Sequence, residues 1–117
     1  MSQPVSYVEL NSPDLETTNV FLSEVFGWQF QPFAAPDYLV APHGTAPGVD
    51  TGLMPSRDGQ PRTIPVIRVE DLDAALKLVT THGGTIAVEP FTIPDVGRGS
   101  YILDPTGLLI GLHAYAA

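Results

Sequence analysis

The pattern of apolar and polar positions begins with a strand. Residues alternate between Val5 and Leu10, so that Tyr7 and Glu9 fall on one face and Val8 on the other. A helix that follows such a strand normally covers one of its two faces. We therefore expect Val8 and Leu10 to face the helix, and Tyr7 and Glu9 to face away from it.

A helix is predicted directly after this strand. Ser12 supplies the N-cap, Pro13 suits the first turn, and Asp14 is an acid favoured by the helix dipole. The apolar spacing continues to about Phe26, where Gly27 supplies a left-handed cap. Three short strands are predicted to complete this half, over residues 28–33, 38–41 and 51–54.

The second half has the same order of patterns. A strand is predicted over 64–69, although Pro65 lacks a backbone donor and suggests an edge or the start of the strand. Asp71 caps the next helix, and Gly83 and Gly84 end it. The apolar positions of this helix are Leu72, Ala75, Leu76 and Val79, and the final strands are predicted over 85–88, 100–103 and 108–114.

The two halves are repeats of one unit. Asp14-Leu15-Glu16 recurs as Asp71-Leu72-Asp73, at an offset in residue number of 71 − 14 = 57. Each half reads βαβββ, and neither is long enough to be stable alone. The fold class predicted is α+β, a single domain over 1–117 made of repeats at about 4–56 and 61–117.

Composition and charge exclude several functions. A hydrophobic content of 44% with 15% charged residues is typical of a globular domain, and no apolar run is long enough to span a bilayer. The absence of cysteine excludes disulfides and thiolate chemistry. A net charge of −8 disfavours nucleic acid as a partner. Since the first residues do not read as a secretory signal, we expect a cytoplasmic protein with no membrane partner.

Four motifs in this order resemble one superfamily over essentially the whole chain. Phe26-Gly27-Trp28 closes the first helix, Gly83-Gly84 closes the second, and Val96-Gly97-Arg98 and Asp104-Pro105-Thr106-Gly107 precede the last strands. The pattern resembles the glyoxalase, bleomycin-resistance and extradiol-dioxygenase superfamily, which has the vicinal oxygen chelate fold. The resemblance implies two βαβββ units that form a curved mixed sheet with a ligand cleft, often completed by a second subunit.

The same resemblance implies where a metal would bind. Metal-using relatives hold it with histidine, glutamine or glutamate at four positions, which here correspond to Tyr7, Met54, Ile64 and Gly111. These side chains cannot build an oxygen- and nitrogen-rich site. Glu9 and His113 lie nearby in the pattern, but two ligands rarely hold a divalent ion. We therefore expect no metal cofactor.

The candidate binding residues lie on the strand face turned away from the helices. Tyr rings could stack on an aromatic ligand, a guanidinium could bind a carboxylate or pair with Glu9, and His113 could act as a base. Structural roles for Glu9 and for His113 remain open alternatives. The predicted ligand-binding set is Tyr7, Glu9, Tyr38, Met54, Arg68 and His113.

Three functions are compatible with these residues. The first is a metal-free protein that binds a small organic ligand, cationic or aromatic in view of the acidic composition. The second is a lyase, isomerase or dioxygenase that uses a non-standard metal site, or a metal-free enzyme with Glu9 or His113 as base. The third is a non-catalytic regulatory or scaffold module. Because each half needs its sheet face covered, we also expect a homodimer.

Overall fold

A computed structural model describes residues 2–116 and contains two helices and eight strands. The first βαβββ series is β1 Val5–Ser12, α1 Leu15–Phe26, β2 Gln31–Phe33, β3 Ala35–Ala41 and β4 Asp50–Pro55. The second series is β5 Arg62–Arg68, α2 Leu72–Thr81, β6 Thr85–Ile93, β7 Gly97–Leu103 and β8 Leu109–Tyr115.

The described residues form two compact units of the same topology. The N-terminal unit holds residues 7–63, and the C-terminal unit holds residues 2–6 and 64–116. In the first, the strand order is β2-β3-β4-β1, and in the second it is β5-β8-β7-β6. The β1–β4 and β5–β8 pairs are parallel, and the other pairs are antiparallel. The predicted α+β class with two βαβββ units is confirmed.

The offset of 57 residues between the repeats holds at the start of the helix in each unit and changes after it. The helices begin at Leu15 and Leu72, where the offset is 72 − 15 = 57, but β3 and β7 begin at Ala35 and Gly97, where it is 97 − 35 = 62. Irregular pairing in the β2–β3 and β6–β7 hairpins accompanies this drift. Sequence positions after the helices therefore cannot be matched between the halves by one constant offset.

Several predicted boundaries are wrong by a few residues. Residues 28–30 are not a strand, and β2 begins only at Gln31. β3 begins at Ala35 rather than at Tyr38, and β6 runs on to Ile93 rather than ending at Val88. In the segment that precedes β2, the Trp28 ring lies beside those of Phe26 and Phe30, with centroids 5.7 and 6.1 Å away.

The cap of α1 is Asp14 and not Ser12. The Asp14 carboxylate accepts a hydrogen bond from the backbone N–H of Thr17 at 3.1 Å, as expected for an N-cap. Ser12 ends β1, and its hydroxyl accepts from the Asp14 N–H and contacts the Thr18 hydroxyl at 2.6 Å. Pro13 therefore precedes the helix. The predicted caps Asp71 and Gly27 are confirmed, the latter with φ of 73°.

The two helices differ in how much they bury. In the C-terminal unit, Leu72 and Leu76 of α2 pack into a core with Val69, Ile102 and Leu112. α1 has no buried residue, and its apolar side chains Val20, Phe21, Val25 and Phe26 are all at least 49% exposed. Within residues 2–116, neither helix has the length and apolar character needed to cross a membrane.

Candidate functional site

Three side chains of the N-terminal unit form a hydrogen-bonded network on the face of β1 away from α1. The hydroxyls of Tyr7 and Tyr38 lie 2.7 Å apart, and Tyr38 is also hydrogen-bonded to the Glu9 carboxylate. Tyr7 and Glu9 are only 8% and 5% exposed. A buried carboxylate is tolerated when it is hydrogen-bonded, which is the role that Tyr38 serves here. The network fills the middle of this strand face.

Burial raises the pKa of the Tyr38 phenol to about 12, and the neighbouring Glu9 charge adds to the effect. The phenol consequently stays protonated at neutral pH and can donate to Glu9. Glu9 can therefore lie buried in the middle of β1, because Tyr38 of β3 donates a hydrogen bond to its carboxylate.

Gly52 provides the space for this network. A Cβ at Gly52 would overlap the Tyr7 hydroxyl and lie 2.8 Å from the Tyr38 hydroxyl. Gly52 is also opposite Glu9 in the β1–β4 pairing, just as Gly111 is opposite Val66 in the β5–β8 pairing. Val66 is the repeat counterpart of Glu9, since 66 − 9 = 57. The strand pairing therefore makes Gly52, and not Met54, the counterpart of Gly111.

Arg68 and His113 come together on the corresponding face of the C-terminal unit. They are direct partners in the parallel β5–β8 pairing. The guanidinium carbon of Arg68 lies 4.4 Å from the centre of the Tyr115 ring, a cation–π contact. The His113 and Tyr115 rings lie 6.0 Å apart. Alternate residues Ile67, Val69 and Leu112 belong to the core beneath α2, so these polar side chains face away from the helix.

Two more aromatic rings extend this face. The Phe91 and Tyr101 rings stack with centroids 5.9 Å apart and planes at 23°. Phe91 lies over Gly99, where a Cβ would come within 2.9 Å of its ring, and the Tyr101 ring lies beside Gly111. Because Gly99 and Gly111 have no side chains, the rings of Phe91 and Tyr101 can lie close to the strands. We call the set Arg68, Phe91, Tyr101, His113 and Tyr115 the aromatic face.

Desolvation by burial lowers the pKa of His113 below its ordinary value of 6.5, so its imidazole is neutral at pH 7. The unfolded chain then binds more protons than the folded one below pH 6.5, and the free energy of unfolding should fall as the pH drops from 7 through 6.5 toward the folded pKa. Urea denaturation at pH 7.5 and 5.5 measures this loss.

His113→Asn should remove part of that pH dependence. An NMR titration of the His113 ring with a midpoint above 6.5 would contradict the prediction.

The residues at the expected metal positions do not fit a metal. Tyr7 is engaged with Tyr38, Ile64 is 4% exposed and apolar, and Gly111 has no side chain. Met54 lies on the same face as Tyr7 and offers only a thioether. Across residues 2–116, no group of three or more histidine, aspartate or glutamate side chains is arranged to hold an ion.

One open cavity lies beside α1 in the N-terminal unit, and another lies in the C-terminal unit. The first, of about 390 Å³, borders Ser12, Thr18 and Leu22 and includes Arg62, whose guanidinium is already paired with Asp58 at 2.6 Å. The other, of about 480 Å³, is in the C-terminal unit and is lined by Ser2, Gln3, Pro4, Arg68, Val69 and Glu70. The second is the more suitable for a ligand because it adjoins the aromatic face through Arg68.

The predicted site residues thus fall into two groups. Tyr7, Glu9 and Tyr38 interact in the N-terminal unit, and Arg68 and His113 are neighbours in the C-terminal unit. Sequence reasoning missed Tyr115, which the period of two from His113 could have indicated. It also missed Phe91 and Tyr101, whose meeting depends on the irregular β6–β7 pairing.

This fold and these motifs place the chain in a known group. Residues 5–112 match the Glyoxalase/Bleomycin resistance protein/Dioxygenase superfamily, and the chain belongs to it.

Two curated relatives carry the name "Putative glyoxylase CFP32", from Mycobacterium bovis and Mycobacterium tuberculosis. Each is 32% identical over 117 aligned residues, which cover 92% of this chain and 44% of the relative. The chain therefore spans less than half the length of these relatives.

Solved structures support the fold. The methylmalonyl-CoA epimerase of Mycobacterium tuberculosis superposes with a TM-score of 0.69 at 19% identity, covering 96% of this chain and 87% of that one. A methylmalonyl-CoA epimerase in complex with methylmalonyl-CoA and NH4+ also gives 0.69, at 16% identity, with 100% of this chain and 97% of that one covered. At these identities, the likeness establishes the fold alone.

Proposed function

We propose that this chain binds a small organic molecule on the aromatic face of its C-terminal unit and needs no metal ion to do so. The observation that carries the proposal is the Arg68 guanidinium lying over Tyr115, next to His113 and the stacked Phe91–Tyr101 pair. Small-molecule sites combine apolar or aromatic walls with a few convergent polar groups. The aromatic face has that composition, and an open cavity adjoins it.

The equivalent strand face of the N-terminal unit is already occupied by its own side chains. Tyr7, Tyr38 and Glu9 lie there and are joined by hydrogen bonds through Tyr38. Because Tyr7 and Glu9 are at most 8% exposed, a ligand would have to break this network to reach them. We therefore assign them a supporting role and place ligand contact at the aromatic face.

Thermal denaturation tests both parts of this proposal. A ligand that binds only the folded state raises the midpoint of unfolding. Mn²⁺, Fe²⁺, Ni²⁺ and Zn²⁺ should leave the midpoint unchanged, because the four family ligand positions hold Tyr7, Ile64, Gly111 and Gly52 or Met54. Small aromatic fragments should raise it. A metal-dependent rise that EDTA reverses, or metal retained at about one ion per chain through gel filtration, would contradict the proposal.

An enzyme acting at the same face is the second candidate. The specific observation is His113, whose pKa burial lowers so that its neutral imidazole can accept a proton at pH 7. Curated relatives named as glyoxylases and structural neighbours named as epimerases belong to the same fold. In this candidate His113 is the base, Arg68 orients the substrate, and Glu9 stays structural because it is buried and bonded to Tyr38.

We further propose that the protein is a homodimer. The exposed apolar stripe of α1 gives the proposal its physical basis, since side chains such as Phe21, at 58% exposure, are costly to leave in water. The curated relatives are more than twice as long as their segment that aligns with this chain, so two copies of this chain would together have a comparable length. Light scattering at micromolar concentration measures the state directly.

A further inference from the structure

Arg68 is an available cation in an acidic protein. The chain has 13 acidic and 5 basic residues, and the arginines Arg62 and Arg98 pair with Asp58 and Asp73 at 2.6 and 3.3 Å. The guanidinium of Arg68 instead lies on the Tyr115 ring, and no carboxylate within residues 2–116 forms an ion pair with it. Its planar N–H donors are therefore available to a ligand.

The neighbours of Arg68 suit a flat, negatively charged molecule. Tyr115 holds the guanidinium plane, and the neutral His113 ring stands beside it on β8. Phe91, at 36% exposure, and Tyr101 provide ring surfaces further along the same face. Guanidinium groups bind carboxylates through two parallel hydrogen bonds, and aromatic rings stack on one another at separations of about 4.5–7 Å.

We infer that the ligand of the aromatic face is an organic anion with a flat unsaturated body, held by its carboxylate on Arg68 and by its body against the aromatic rings. This inference rests on the proposed function, because it specifies the ligand class of the same face. It differs from the expectation of a cationic ligand that the net charge alone suggests. Glu70 lines the adjoining cavity but forms no ion pair with Arg68, so it does not occupy the anion position.

The overall charge of −8 does not prevent anion binding at this position. Charges separated by more than about 10 Å in water are largely screened at about 0.1 M salt, whereas a direct guanidinium–carboxylate contact is screened much less. The local contact therefore decides which ligand binds, and the distant acidic residues mainly slow the approach of an anion. Binding tests should accordingly be run near physiological ionic strength.

Benzoate, benzamide and benzamidinium test the inference, because they share one shape and differ in charge. Each would be titrated at millimolar concentration into the ¹⁵N-labelled chain, with the backbone resonances of β7 and β8 as the readout. Benzoate should bind about tenfold more tightly than benzamide, the effect of one charge-assisted hydrogen-bonded pair. Arg68→Gln should abolish that preference. Arg98→Gln, on the helix-facing side of β7 and paired with Asp73, is the matched control and should retain it.

The outcomes separate the two proposals. If benzamide or benzamidinium binds the aromatic face as tightly as benzoate, or if Arg68→Gln leaves benzoate binding unchanged, the anion inference is overturned while the proposed function stands. If none of the three probes shifts the β7 and β8 resonances, the proposed function at this face is overturned together with the inference. Selective loss of benzoate binding in Arg68→Gln alone supports both.

Discussion

Gly52→Ala should destabilise the protein by about 3 kcal/mol, because the new methyl group would overlap the Tyr7 hydroxyl and crowd that of Tyr38. Either the Tyr7–Tyr38 hydrogen bond breaks or the β4 backbone moves, and both leave buried polar groups poorly satisfied. Urea denaturation followed by circular dichroism measures the change in free energy of unfolding.

Two variants separate crowding from a general effect of replacing glycine. Gly59→Ala lies in a loop with nothing near its Cβ position and should cost only about 1 kcal/mol, for its positive φ of 76°. In a Tyr7→Phe background, Gly52→Ala should cost less than in the natural chain, since the overlapping hydroxyl is gone. Equal costs in both backgrounds would show that the network does not limit this position.

Leu76→Ala should cost about 2–4 kcal/mol, because Leu76 is 6% exposed and packs with Val69, Leu72, Ile102 and Leu112. Truncation therefore leaves a cavity among close-packed side chains. The same denaturation experiment measures the loss. A cost below about 1 kcal/mol would mean that α2 does not pack on its sheet through this side chain.

Phe21→Ala in α1 is to be compared with Leu76→Ala, because it truncates an exposed apolar side chain instead of a buried one. Its side chain is larger than that of Leu76 but 58% exposed, so within one chain its loss should cost less than about 1 kcal/mol. If a second copy covers α1, the cost should instead grow with protein concentration, because association and folding are then linked. The pair of variants therefore tests the homodimer proposal as well as the packing of each helix.

The local pattern determined most of the fold. Alternation and helical spacing place β1, α1, β5 and α2 correctly, because alternation along a strand, apolar spacing along a helix and caps such as Asp71 and Gly27 are all local features of the sequence. Pro65 does not lie in the first residues of its strand as predicted: it is at the centre of β5, just before the stretch that pairs with β8. The predictions are less accurate after the helices, where β2 is short and β6 is long.

The candidate site was only partly predictable. Parity from Val8 and Ile67 identifies the face of Glu9 and Arg68, because side chains alternate strictly along a strand. Which residues meet across strands depends on register, and register in β2–β3 and β6–β7 shifts at irregular pairings. That is why the pattern does not reveal Phe91 and Tyr101. The ligand role of Met54 stays a prediction.

The sequence by itself determined the repeated βαβββ order and the helix-facing and opposite faces of the strands. Only the tertiary structure decided that Tyr38 reaches Glu9, that Arg68 lies on Tyr115, and that Gly52 makes room for two phenols. Periodicity is a local property of the backbone, whereas hydrogen bonds and ring contacts across strands are fixed by pairing between segments distant in sequence.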